Sequence, residues 1–171
     1  LIAIALYILL RFRDISFSVG TLVALAFDTV IIIGFYSIFY GILPFSMEID
    51  QSFIAAILTV IGYSVNDKVV VFDRVREVAN IYPKRDKFIV INDALNSTLS
   101  RTISTSLSTA IVLICIFVLG GDTIRSFTFA MLLGVIIGTL STLFMAVPIA
   151  YELQSRKQKK EQAQEAASSK K

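Results

Sequence analysis

Five apolar runs, at about 1–12, 19–40, 51–72, 99–119 and 124–150, take up most of this chain, and the connections between them are too short for a soluble domain. That pattern restricts the fold more than any other feature. A helix needs roughly 20 apolar residues to cross a hydrocarbon core of about 30 Å, and it satisfies its backbone hydrogen bonds within one segment, as a chain in lipid must. With 56% hydrophobic residues and a mean hydropathy of +0.76, the expected class is all-α, a polytopic transmembrane bundle of about five spans. The first run is short and opens at Leu1 inside apolar sequence, which reads as a membrane domain lacking its N-terminal part.

The charges orient the bundle. The connection 41–50 contains Pro44, Glu48 and Asp50 but no Lys or Arg, whereas 73–98 contains Arg74, Arg76, Lys84, Arg85 and Lys87. Basic loops stay in the cytoplasm, so 73–98 is placed there. Phe88, Ile91, Leu95 and Leu99 recur within it at near-helical spacing, an amphipathic stretch suited either to the interface or to a surface helix. Residues 152–171 are rich in Lys, Gln, Glu, Ala and Ser, the composition of a disordered cytoplasmic tail. The net charge of +3 sits at span ends and in this tail, so a nucleic-acid partner is not expected.

Inside the third run lies a carboxylate, Asp67. An ionisable group at that depth costs at least ~2.5–3.5 kcal/mol and marks a functional site by default. Asp67 is 17 positions after Asp50 and Arg101 is 18 before Leu119, so at about 1.5 Å per residue both lie roughly 25–27 Å from the outer edge. Asp28, 13 positions before Gly41, lies roughly 20 Å in. Two acids and one guanidinium are thereby expected to meet in the inner half. Ser104, Thr105 and Ser108 fall on the face of Arg101, and Tyr63 and Ser64 fall on that of Asp67. Such a hydroxyl-rich face suits water or a proton path, and hydroxyls also glue helices together. Two plainer arrangements use the same residues: Arg101 snorkelling to the interface, or Asp67 paired with its neighbour Lys68.

Ala130, Gly134 and Gly138 continue at four-residue spacing to Thr142 and Ala146, a small-residue stripe for close helix packing in this chain or with a partner. The chain has no His, one cysteine (Cys115), no nucleophile elbow and no phosphate-binding loop. Neither an enzyme nor a resident cofactor or metal is expected.

The segments IGYSVNDKVVVFDRVRE (61–77) and LNSTLSRTISTS (95–106), with the Gly120-Gly121 turn, resemble the SecF family of protein-export membrane proteins, including the SecF half of fused SecDF. The resemblance covers about 15–150. It implies a fold of the resistance-nodulation-division type in the bacterial cytoplasmic membrane, with the C-terminus cytoplasmic. The implied role is auxiliary to protein translocation, using the proton motive force beside SecYEG, with SecD, YajC, the translocating polypeptide and membrane lipid as partners. It also implies that Asp67 and Arg101 are the proton-coupling pair, with Asn66 preceding the acid, and that H⁺ is the coupling ion. Two positions depart from the usual pattern: Lys68 stands where Thr is common, and Phe27 where His commonly precedes Asp28. A small-molecule or lipid exporter of the same superfamily, or a membrane scaffold in which the charges only set helix register, is the competing expectation.

Overall fold

The computed structural model describes residues 2–12, 15–42, 49–83 and 85–156. These form five helices and no strand: α1 (Ile2–Phe12), α2 (Ile15–Phe39), α3 (Gln51–Ile81), α4 (Lys87–Leu119) and α5 (Asp122–Ser141). A π-helical turn, Thr142–Ala146, follows α5, and the helix then runs on over 147–156. Four helical segments are long and apolar enough to cross a membrane: Ile15–Phe39, Gln51–Ile81, Lys87–Leu119 and Ile124–Arg156. With 11 residues, α1 covers only roughly 16 Å.

Local chemistry sets the boundaries. Asp50 caps α3 by accepting from the Phe53 amide at 2.8 Å, and Asp86 caps α4 by accepting from Phe88 at 3.3 Å. Pro83 separates these two helices, and Gly120-Gly121 separates α4 from α5. The fifth span does not stop near Pro148. Proline removes an amide donor and crowds the carbonyl four residues back, and the π turn lies over those residues, so the helix continues through Arg156.

The basic segment 73–98 is mostly helix, a difference from the loop expected there. α3 extends to Ile81 and α4 starts at Lys87, so both project beyond a hydrocarbon core of about 30 Å. Val90, Ile91 and Ala94 bury against Val75 and Val78. The amphipathic stretch thus forms the first turns of α4, because its apolar face meets α3. Of the tail expected over 152–171, the first five residues are helical and 157–171 lie outside the described residues. Pro44 and Glu48 also lie outside them.

Two apolar clusters fill the bundle. Tyr36, Phe53, Ala56, Val60 and Ala130 belong to one, and Phe17, Phe72, Val75, Ala94, Val147 and Ala150 to the other. Tyr36 adds a 2.6 Å hydrogen bond from its hydroxyl to the Ser126 carbonyl, tying α2 to α5. Between the clusters α3 and α5 touch along one line. Ala56, Val60, Ser64 and Lys68, each four residues apart and buried, lie along the stripe of Ala130, Gly134 and Gly138. A Cβ at Gly134 would run into Val60, and one at Gly138 would come within 2.9 Å of Ser64 Oγ. The stripe therefore serves contacts within this chain.

Gly134→Ala is expected to cost about 1–3 kcal/mol through overpacking, seen as a lower unfolding temperature in lipid or detergent. Gly34→Ala, with nothing within 4 Å of the added methyl, should be neutral or gain about 0.5–1 kcal/mol from helix propensity. Equal losses in the two variants would rule out this packing account.

Candidate functional site

At the layer between the two clusters, consecutive residues of α3 face different ways. Helix geometry turns each residue about 100° from the last, and Asp67 and Lys68 consequently belong to two distinct groups. Lys68 points inward and is fully buried. Its Nζ donates to Asp28 Oδ2 on α2 at 3.1 Å, to Ser141 Oγ on α5 at 3.1 Å, and to Ser64 Oγ one turn back on α3. Ser64 in turn donates to Asp28 Oδ2 at 2.9 Å, and Ser141 to the Gly138 carbonyl at 3.1 Å. Asp28 is only 2% exposed.

This arrangement corrects the expected meeting of Asp28 with Asp67 and Arg101. Depth along the bundle brought the three to neighbouring layers, but Asp28 faces the opposite side of α3, where Lys68 holds it. Lys68 accordingly pairs with Asp28 and forms no ion pair with Asp67. Ser64 likewise belongs with Lys68, four residues away, and not with Asp67.

Asp67 faces α4 and the π turn. It is half-buried, and its Oδ2 has no hydrogen-bond partner within the described residues. The hydroxyls of Thr142 and Thr102 lie beside the carboxyl. Thr102 Oγ1, also buried, has no partner either. Arg101 is exposed and makes no ion pair with Asp67 among the described residues.

The two residues nonetheless line one cleft of about 480 Å³ between α3 and α4, together with Tyr63, Asn66, Ser104, Thr105 and Ser108. Thr105, Ser108 and Thr109 donate their hydroxyl protons to carbonyls one turn back, at 2.8–3.0 Å, leaving their oxygen lone pairs toward the cleft. A second cleft, of about 360 Å³, is lined by Asp73, Arg74, Glu77, Ser97 and Thr98. Val70 and Arg101 line both. The first cleft extends from Asp67 toward the Asp50 end of α3 and the Leu119 end of α4, and the second toward their basic ends. Arg101 stands where they join.

Ser141 and Thr142, adjacent on the last helix, face Lys68 and Asp67, adjacent on α3. Sequence reading put Thr142 in the packing stripe and did not single out Ser141 or Thr102. The available signal was a hydroxyl pair at the expected depth of Asp67, six residues before Pro148.

Removing one partner of a buried ion pair typically costs about 3–5 kcal/mol, and apolar replacement of both is often nearly neutral. Lys68→Met should therefore destabilise the bundle by that amount in equilibrium unfolding. Asp28→Leu combined with Lys68→Met should recover most of it; a double variant as unstable as the single one would count against the pair as drawn.

A family profile described as "Protein export membrane protein SecD/SecF, C-terminal" matches residues 1–156. The protein translocase subunit SecF of Rhodothermus marinus is 47% identical over 156 residues, covering 91% of this chain and 50% of the relative. The SecF subunit of Petrotoga mobilis is 41% identical, covering 95% and 52%. The chain thus spans about half the length of these relatives. Among solved structures, SecDF in its super-membrane-facing form is similar with a TM-score of 0.82 at 35% identity, covering 94% of this chain and 21% of that one. SecDF from Thermus thermophilus, described as a translocon-associated membrane protein, gives 0.77 at 36% identity, covering 88% and 20%. The helical bundle, its buried acids and these matches together place the chain in the SecD/SecF C-terminal family of protein-export membrane proteins.

Proposed function

We propose that this chain is the membrane domain of an auxiliary subunit of the Sec protein-translocation machinery, and that it couples the proton motive force to polypeptide export. Asp67 is the group that takes up and releases the proton, and Arg101 is its charge partner across the cleft. The observation that carries this reading is the Asp67 carboxylate, with one oxygen unpartnered, at the place where an outward-reaching and an inward-reaching cleft approach each other. A carboxylate there exchanges protons with either side when small movements of α3 and α4 open one cleft or the other. The hydroxyls of Ser104, Thr105 and Ser108 line the outward route, and Asn66 lies beside the acid.

The separation of Asp67 from Arg101 favours coupling over a scaffold role for this pair. A register-setting ion pair requires contact, and the contact in this bundle is made by Asp28 and Lys68. SecD, separate or fused, and the SecYEG channel are the partners this reading assigns, on the strength of the family membership and of the SecDF likeness. Protons are the coupling ion.

In the full-length protein, Asp67→Asn and Arg101→Met should each reduce proton-driven export to background while leaving membrane insertion intact. Full export by Asp67→Asn would refute the assignment. The same reading puts the basic ends of α3 and α4 and the end of the last helix in the cytoplasm. In a Cys115→Ser background, cysteines at Arg85 and Arg156 should react with an impermeant thiol reagent from that face, and a cysteine at Asp122 from the other.

A further inference from the structure

We propose that Thr102 and Thr142 are positioning residues that hold Asp67 in alternate protonation states: Thr102 of α4 donates to the carboxylate, and Thr142 of the π turn accepts from the protonated acid. Proton uptake then moves the hydrogen bond of Asp67 from α4 to the last helix. The inference rests on the reading of Asp67 given above and adds the two hydroxyls that respond to its charge.

The pattern of hydroxyl bonds carries it. Along α4, Thr98, Thr105 and Thr109 each donate to the carbonyl one turn back, at 2.9–3.0 Å. Thr102 lies on the same stripe, four residues after Thr98 and three before Thr105, and does not. Its Oγ1 has no hydrogen-bond partner within the described residues, although the residue is only 2% exposed. A hydroxyl without a partner keeps its proton to give, and leaving it unpaired in a buried place is unfavourable. The group beside it is the Asp67 carboxyl, whose Oδ2 is also buried and unpartnered. A small approach of α4 to α3 satisfies both atoms at once.

Thr142 meets the same carboxyl with the opposite capacity. It is fully buried and gives its proton to the Gly138 carbonyl at 2.8 Å, so only its oxygen lone pairs remain. A carboxylate has no proton to offer them, and a carboxylic acid has one. The two threonines therefore sort the states of Asp67 by helix. The other charged or titratable groups around it are Lys68, turned to Asp28 of α2, and Arg101 and Tyr63, which line the first cleft. In the second cleft Asp73 and Glu77 are ion-paired with Arg11 and Arg74. From the last helix the groups facing α3 at this level are the hydroxyls of Ser141 and Thr142. All of the charged groups are the same in either threonine variant, so they do not give the two variants effects of opposite sign.

The test is infrared spectroscopy of the full-length protein in lipid, following with pH the protonated-carboxyl band that Asp67→Asn removes. Thr102→Val deletes the donor to the carboxylate, weakens the ionised form and should carry the band upward by about 0.5–1 on the pH scale. Thr142→Val deletes the acceptor for the acid, weakens the protonated form and should withdraw the band to lower pH by a similar amount. Thr102→Ser and Thr142→Ser, which keep the hydroxyl, should follow the wild type. Where a valine variant does not fold, the alanine variant is measured in its place. Shifts of the same sign, or no shift in either variant, overturn the proposal and leave the role of Asp67 standing. A wild type without a titrating band that Asp67→Asn removes overturns both. Hydroxyls that only pack helices together would lower stability and leave the band where it is.

Discussion

Val60 and Ser64 of α3 lie against positions 134 and 138 of α5 so closely that only hydrogen fits there as a side chain. In lipid, helices gain little hydrophobic free energy from meeting one another, and close van der Waals packing takes over that role. The contact aligns the row Ala56, Val60, Ser64 and Lys68 with the small-residue stripe. It brings Lys68 to Ser141 and, across the gap, to Asp28 on α2. Apolar clusters above and below leave this polar layer between them. Displacing α5 by the width of a methyl group would separate Ser141 from Lys68.

Two adjacent residues of α3 then perform opposite electrostatic tasks. Lys68 enters a buried group in which each of its protons has an acceptor, and Asp28 Oδ1 is left without a partner. Such a group adds little net stability over an apolar replacement, but it penalises any helix register that breaks it. Asp67, turned about 100° away, enters an open group: an unpartnered carboxylate oxygen, an unpartnered Thr102 hydroxyl and a polar cleft. Adjacent positions of one helix thus carry a buried ion pair and an acid that lines a cleft. The two remain distinct because α3 itself stands between them.

The π turn links these groups to the last helix. Single π turns inside α-helices are frequent at functional sites, and here the turn begins at Thr142, next to Ser141. It also absorbs the missing amide of Pro148, so the helix continues and Val147 and Ala150 can pack in the inner cluster. Thr142 and Ser141 reach neighbouring side chains of α3 from neighbouring positions of α5. Any change of register within the turn would alter both contacts together.

Helix number and the position of each charged residue along its helix were legible in the chain. The lengths of the apolar runs, the basic segment 73–98 and the counts from Asp50 and Leu119 required nothing but the rise of a helix. Asp67 and Arg101 accordingly occur where counting put them, on one cleft. Azimuth was not legible. A rise per residue says how deep a side chain lies, whereas the direction it faces depends on which neighbour its helix packs against, and that is settled by contacts remote in sequence. For that reason Asp28 was expected with Asp67 and is instead bound to Lys68, and Ser141, Thr142 and Thr102 joined the site only once α4 and α5 were in place. The continuation of α4 through 87–98 has the same origin, since its apolar face is covered by α3. Sequence determined how far along each helix the charges lie; tertiary packing decided which of them meet.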